Sequence, residues 1–308
     1  MDLATAHDGL RPLMFSIAYR MLGSVAEAED IVQEAFLRMH RSAQHSDENV
    51  ENLDAYATTV TTRIAIDTLR SARHRREQYV GPWMPEPILV SDEDPSHRLE
   101  LDETVSTAFL VLLESLTPVE RAVFVLREVL GYDYEDIAPV VGKSATNCRQ
   151  IFTRARKRIA DGTPRFDPSR ERRDQLASQF VAALSASDIA GLERLLADDV
   201  VFVADGGGRA PAIQKPMLGA VAVARFLLGL MRQGERFGVR LELSSANGQP
   251  AMLTRGADGA LLGVIALDVE GGRIVRMHNV LNPDKLGHPD KLGHLGEVGD
   301  LFALLAER

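Results

Sequence analysis

Apolar positions recur at helical spacing through the first half of the chain and alternate with polar ones through much of the second. Leu10–Leu22 predicts a helix that stops at Gly23, and Ser24 is placed to cap the next one. Glu27, Glu29 and Asp30 in its first turn suit the positive end of a helix dipole. That helix runs on through Ile31, Val32, Ala35, Phe36, Leu37 and Met39, with Ile31, Ala35 and Leu37 expected to pack inward. Asn52–Arg76 predicts a third helix, moving from Leu53, Tyr56 and Val60 into Arg63, Arg70, Arg73, Arg75 and Arg76. Leu99–Asp161 is helical again, with Thr117-Pro118 and Glu120 marking one start and Gly131 one end.

From Pro168 the pattern changes. Arg170–Ala186 and Ile189–Leu196 predict amphipathic helices, Val200–Ala204 a short strand and Val221–Met231 a helix. Val239–Ser245, Ala251–Arg255, Leu261–Glu270 and Arg273–Leu281 predict strands, with a hairpin turn at Glu270-Gly271-Gly272. Helices followed by an antiparallel sheet predict an α+β domain. In the tail, Pro283–His288 repeats as Pro289–His294, a local duplication rather than an architecture.

Two stretches break the pattern. Gly81–Pro95 holds four prolines and an acidic cluster and reads as a linker. Its Trp83, the only tryptophan, is either an anchor docked on a neighbouring domain or incidentally buried. Gly162–Asp167 is a second boundary. A chain of 308 residues fits two or three domains. No apolar run reaches the length of a membrane span and the N-terminus lacks a signal-peptide core, so a cytoplasmic chain is expected. The single cysteine, Cys148, excludes an internal disulfide and reads as a small core residue. The histidines, including His288 and His294, show no ligand spacing, so neither metal nor cofactor is expected.

Charge sharpens one segment. In Tyr134–Arg158, Ile137, Ala138 and Val141 line a first helix, Gly142 turns the chain and Ser144 caps a second helix. Ala145, Cys148, Ile151, Phe152 and Ala155 form the buried stripe of that second helix. Lys143–Arg158 carries six Lys/Arg and no Asp/Glu inside a chain of net charge −9. This is a helix-turn-helix with a basic face: a DNA reader, or a helical hairpin whose basic side is merely solvated.

The order of an acidic helix, a basic helix, a linker and a helix-turn-helix resembles the sigma factors of bacterial RNA polymerase. The resemblance is to the extracytoplasmic function (ECF) class, carried by Gly23–Arg41, Thr61–Glu77 and Leu116–Ile159. The second half resembles a SnoaL-like domain of NTF2-like α+β cone fold, which one ECF group carries at its C-terminus. That group's linker, loop and tail motifs match Trp83–Pro87 (WMPEP), Asp205–Arg209 (DGGGR) and Asn282–Leu286 (NPDKL). The implied fold is two all-α sigma domains followed by the cone. The implied bounds are 1–80, linker 81–104, 105–164, cone 168–290 and tail 291–308.

The resemblance implies roles. Asp30, Gln33, Glu34 and Arg38 would meet core RNA polymerase at its β′ clamp helices, with the β flap as a further contact. Thr146, Arg149, Gln150 and Thr153 would face the −35 promoter element, while Arg154, Lys157 and Arg158 hold its backbone. Arg149 has the geometry for guanine and Gln150 for adenine. Tyr56, standing where the family often has tryptophan, would serve the −10 element with Arg63, Arg70, Arg73 and Arg75. The polar loop Ser42–Asn52 would contact the flipped base, and Asp67 reads as a salt-bridge partner. Trp83, Pro85, Glu86, Asp205, Gly206, Gly207, Gly208, Arg209, Asn282, Pro283, Asp284 and Lys285 would form regulatory contacts, since three motifs travelling together fit a switch better than an enzyme. The alternative makes the cone a small-molecule receptor, or an acid–base enzyme using His278 with Asp205 or Asp268. A structural histidine beside a pocket that holds a ligand or nothing is preferred, and no catalytic residue is assigned. A dimeric repressor leaves Asp30–Arg41 unexplained.

Overall fold

The protein is described by a computed structural model covering residues 3–45, 52–89, 105–160 and 169–287. These residues fall into two compact units. The first holds residues up to Gln78 and those from Phe109 to Ala160; the second holds residues 79–89, Ser106–Ala108 and those from 169 onward. The expected boundary at Gly162–Asp167, the linker beyond Leu89 and the tail 291–308 lie outside the described residues.

In the first unit, α1 (Leu3–Leu22) ends at Gly23, whose φ of +66° only glycine adopts without strain. Ser24 Oγ accepts from the Glu27 N–H at 3.3 Å and opens α2 (Val25–His45). Asn52 Oδ1 accepts from the Ala55 N–H at 3.0 Å and opens α3 (Leu53–Glu77). The three helices bury Met14, Ile17, Met21, Ala28, Ala35, Met39 and Ala65 between them. Leu37 does not join them: it is 51% exposed, on the outward face shared with Gln33 and Glu34. The inward stripe is Ala28, Ile31, Val32, Ala35 and Met39, and Leu37 falls outside its 3.6-residue period.

After α4 (Thr107–Leu113), Thr117 caps α5 (Pro118–Phe124) with a full capping box. The Glu120 N–H reaches Thr117 Oγ1 at 3.4 Å and the Thr117 N–H reaches Glu120 Oε2 at 2.9 Å. The helix then widens into a π turn, Val125–Val129, which the spacing did not predict. Next come α6 (Tyr134–Val141), a left-handed Gly142 (φ +65°) and α7 (Ala145–Ala160), with Ser144 Oγ accepting from the Asn147 N–H at 3.2 Å. Ile137 and Val140 are the buried positions of α6, and Cys148, Ile151, Phe152, Ala155 and Ile159 those of α7. Ala138, Val141 and Ala145 sit half-buried at the margins.

Part-buried ion pairs tie these parts together. Glu114 receives the guanidinium groups of both Arg76 and Arg121, while Arg121 Nε donates to the Arg20 carbonyl at 2.8 Å. Thr58 Oγ1 and the Tyr132 hydroxyl share a hydrogen bond of 2.9 Å.

The second unit is a six-stranded sheet in the order β2-β1-β6-β5-β4-β3. Its strands are β1 (Leu196–Asp205), β2 (Met217–Leu218), β3 (Arg240–Ala246), β4 (Gln249–Arg255), β5 (Leu261–Glu270) and β6 (Arg273–Val280). Strands β3 to β6 form an antiparallel meander, turned at Gly271 and Gly272 with φ +57° and +76° as a type I′ hairpin requires. The sheet is nevertheless mixed: β1 pairs with β6 in parallel. The three reversals of the meander leave β6 antiparallel to β3, and β3 enters the sheet opposite in direction to β1, so β6 returns in the direction of β1. Helices α8 (Arg170–Ser185), α9 (Ile189–Leu195) and α10 (Ala220–Arg236) cover one face, around Phe180, Leu192, Phe202, Val223, Leu267 and Met277. The other face carries a smaller apolar cluster that includes Met84 and Leu89 of the linker segment with Leu253, Val264, Val280 and Leu286.

Candidate functional site

The second unit contains a latch built from three distant segments. Asp205, at the C-terminal end of β1, is fully buried. The Tyr79 hydroxyl donates to its Oδ1 at 2.6 Å, and the Met84 backbone N–H donates to its Oδ2 at 2.8 Å. Lys285 Nζ donates to the same Oδ2 at 2.6 Å and to the Met84 carbonyl at 2.6 Å. The ammonium also lies 4.4 Å from the Trp83 ring centroid and 4.8 Å from that of Tyr79, so both rings stabilise it. Asn282 Nδ2 donates to the Tyr79 oxygen at 2.8 Å, while Asn282 Oδ1 accepts from the Asp284 N–H at 3.0 Å and caps the 3₁₀ turn Pro283–Lys285. Burial first, and then the Asp205 carboxylate, hold the Tyr79 phenol far above its ordinary pKa, so it donates at all working pH.

The glycines of the loop are dictated by this packing. A Cβ on Gly207 (φ +59°) would meet Asn282 Nδ2 at 2.3 Å and Tyr79 Oη at 2.8 Å. On Gly206 it would meet the Ala210 carbonyl oxygen at 2.0 Å. Arg209 pairs loosely with Asp284 at 3.4 Å at the exposed rim. Of the linker motif, Met84 and Pro85 are buried and Trp83 and Glu86 half-buried. Burying the Met84 side chain contributes on the order of 1.5–3 kcal/mol. Farther along, Ile88 and Asn247 exchange two hydrogen bonds, Ile88 N–H to Asn247 Oδ1 at 3.1 Å and Asn247 N–H to the Ile88 carbonyl at 2.9 Å.

In the first unit, Thr146, Arg149, Gln150, Thr153, Arg154, Lys157 and Arg158 are all exposed on α7. Arg149 lies 5.1 Å from the Tyr134 ring centroid, and Thr153 Oγ1 donates back to the Arg149 carbonyl at 2.9 Å. Arg158 is held within the fold, 3.1 Å from Glu120 Oε2 and 3.3 Å from the Ser115 carbonyl. Burial opposes ionisation of Glu120, but the Thr117 hydrogen bonds and Arg158 outweigh it and lower its pKa. Cys148 is buried, and burial pushes its thiol pKa up.

On α3, Tyr56 is half-buried, and Arg70 pairs with Asp67 at 2.8 Å. Arg63 Nη2 donates to the Pro139 carbonyl at 2.7 Å, and Nε to that of Val140 at 3.3 Å, at the C-terminal end of α6. The side chains of Arg73 and Arg75 and most of the loop Ser42–Asn52 lie outside the described residues. On α2, Asp30, Gln33 and Arg38 are exposed and Glu34 half-buried, with Arg38 Nε donating to Glu34 at 2.7 Å.

His278 and Asp268 form a buried pair at 2.9 Å, but on the sheet face of Val264 and Val280. The strand period puts Asn279 and Leu281 on the opposite face, where an apolar cavity lies beneath the helices. His278 therefore does not point into the cavity, and Asp205 is committed to the latch. Among the described residues no group of His, Cys, Asp or Glu has metal-site geometry, and His288 and His294 lie outside them.

Comparisons with known proteins fit this geometry. Residues 7–75 match Sigma-70 region 2, and residues 106–159 match Sigma-70, region 4. The ECF RNA polymerase sigma factor SigJ of Mycobacterium tuberculosis is 35% identical over 90% of this chain and 91% of its own length. The chain belongs to the ECF RNA polymerase sigma factors. The probable ECF sigma factor SigI of the same species is 32% identical over 90% of this sigma factor and 92% of its own length. The crystal structure of M. tuberculosis SigJ superposes with a TM-score of 0.75 at 32% identity, covering 92% of this sigma factor and 97% of that chain. Two helical sigma regions followed by an α+β domain is thus the architecture of this sigma factor. The family is not enzymatic.

Sequence reasoning missed Tyr79, Ile88 and Asn247. Tyr79 stands two residues after α3, with no motif to mark it. Asn247 did carry a signal: Asn-Gly between two alternating runs marks a hairpin turn, and its φ of +54° is the consequence.

Proposed function

We propose that this sigma factor binds core RNA polymerase, reads a two-part promoter and is regulated in cis by its C-terminal domain through the Asp205 latch. One observation carries the cis-regulatory reading: a fully buried carboxylate holds Tyr79, Met84 and Lys285 at once. Tyr79 and Met84 belong to the segment that follows α3, so the C-terminal domain grips the connection between the promoter-reading parts. A domain evolved for chemistry alone has no use for that grip.

In this reading Asp30, Gln33, Glu34, Leu37 and Arg38 meet the β′ clamp helices, with the β flap as a further contact. The exposed Leu37 adds an apolar anchor to a polar face. Thr146, Arg149, Gln150 and Thr153 face the −35 element, and Arg154 and Lys157 the phosphates. Tyr56, Arg63, Arg70, Arg73 and Arg75 serve the −10 element. Arg63 spends two of its five N–H donors on the carbonyls of Val140 and Pro139 and, being exposed, keeps the others for a DNA strand. The protein works where polymerase works, in the cytoplasm, and no described helix is long and apolar enough to cross a membrane.

The test is run-off transcription with purified core polymerase, comparing the full chain, Asp205→Asn and a chain ending before Pro168. Promoter-dependent transcript whose yield differs among the three supports the proposal. Equal yields from all three would remove the cis-regulatory role, and no binding to core would remove the polymerase role.

A further inference from the structure

The cavity between the helices and the sheet has a volume of about 410 Å³. Seventeen of its nineteen lining residues are apolar or glycine, among them Phe202, Ala204, Leu227 and Met252; only Thr254 and Asn279 are polar, and none is charged. A void of this size leaves its lining side chains without partners on one side. Its volume accommodates roughly ten to twenty non-hydrogen atoms at ordinary packing density.

Asn279 supplies the second observation. It sits in β6 between Ala204 of β1 and Ile265 of β5, and is 5% exposed. Its side-chain oxygen is buried and accepts no hydrogen bond. An amide oxygen left so in an apolar wall is disfavoured unless a donor arrives from within the cavity. The same two strands end at the latch: Ala204 precedes Asp205, and the Leu281 and Asn282 N–H groups donate to the Asp205 carbonyl at 2.8 and 3.0 Å.

We infer that this cavity binds an uncharged, predominantly apolar small molecule carrying one hydroxyl, which donates to Asn279 Oδ1. A role for that molecule as a signal to the latch rests on the cis-regulatory reading; the binding site itself does not. A charged ligand is disfavoured because nothing in the lining would offset its desolvation. A purely hydrocarbon ligand would leave Asn279 Oδ1 unsatisfied.

The experiment is isothermal titration calorimetry of the full chain with 1-adamantanol and 1-decanol, each paired with its methyl ether, which lacks the donor. Saturable one-to-one binding of at least one alcohol is expected, about tenfold tighter than its ether. In Asn279→Leu the two should bind within about twofold of each other. Ala204→Phe should abolish binding of both by filling the cavity; if that variant misfolds, Asn279→Leu decides alone. No saturable binding of either alcohol, or a preference for the alcohol that survives in Asn279→Leu, overturns the inference. Transcription by Asp205→Asn is measured separately, so the ligand site and the cis-regulatory reading can fail independently.

Discussion

The Tyr79 hydroxyl donates to Asp205 at 2.6 Å across 126 residues of sequence. The same phenol oxygen accepts from Asn282, so one tyrosine joins the segment after α3 to both the end of β1 and the segment after β6. Neither partner can be lost quietly. Asp205 is fully buried, and Lys285 is mostly so. Taking away the carboxylate strands an ammonium, and taking away the phenol strands two polar groups.

Asp205→Asn should therefore cost about 2–5 kcal/mol in the second unit, and Tyr79→Phe about 1–3 kcal/mol. Helical content should stay near that of the wild type, because no helix of the first unit depends on either group. Trp83, the only tryptophan, reports the change directly: its emission should shift to the red as the segment leaves Lys285 and gains water. Urea denaturation followed by Trp83 fluorescence checks both values. An unchanged midpoint in Asp205→Asn would mean that the carboxylate does not hold the segment.

Gly207→Ala and Gly271→Ala separate backbone strain from collision. Both glycines have positive φ, +59° and +57°, so alanine costs about 1–2 kcal/mol at either. Gly271 has nothing within 4 Å of the added carbon, whereas Gly207 meets Asn282 and Tyr79. Gly207→Ala should thus be the worse by roughly another 1–3 kcal/mol, with loss of the Trp83 signature. Thermal denaturation of the pair tests this, and equal midpoints would show that the loop yields without disturbing Asn282.

Much of this was legible in the sequence, and the failures have physical causes. The helix-turn-helix announced itself because Gly142, Ser144 and the apolar stripe through Phe152 are local signals, each fixed within a turn or two of chain. The hairpin at Gly271-Gly272 was legible for the same reason. The parallel pairing of β1 with β6 was not, because strand direction is set by everything between residues 205 and 273. Leu37 was misplaced because an apolar residue was assumed to face inward, although its position on α2 points outward. The latch motifs could be grouped only by resemblance; that Asp205 is their common acceptor required the fold. Asn279 read as an alternating strand residue, and only the cavity gives its amide a meaning.

On α7, Lys157 and Arg158 are adjacent and both exposed, yet they should behave differently towards DNA. Arg158 already bonds Glu120 and the Ser115 carbonyl, so its charge is partly spent inside the fold. Lys157→Ala should reduce the slope of log affinity against log salt by about 1 on any sequence. Arg158→Ala should reduce it less and also lower stability, by roughly 0.5–1 kcal/mol. Arg149→Ala should instead relax base preference at one −35 position. Fluorescence anisotropy with a −35 duplex across a salt series distinguishes the three, and identical slopes for Lys157→Ala and Arg158→Ala would contradict the assignment.

Glu114 should set the acid limit of the first unit. Burial works against its charge, but the guanidinium groups of Arg121 and Arg76 outweigh burial and hold its pKa below the usual glutamate value. The unfolded chain therefore binds this proton more readily than the folded one. Its contribution is fully present above the ordinary glutamate range, about pH 4.3–4.5, and is lost as pH falls through the lower folded value. Glu114→Gln removes the charge at every pH and leaves Arg121, which is 1% exposed, without its anion. That variant should be less stable than the wild type by about 2–4 kcal/mol near neutral pH. The gap should narrow as pH falls below the ordinary glutamate range and the wild type protonates. Urea denaturation at about pH 7 and about pH 3.5, followed by helical circular dichroism, tests the narrowing; a gap that stays constant with pH would show that Glu114 stabilises by shape rather than by charge.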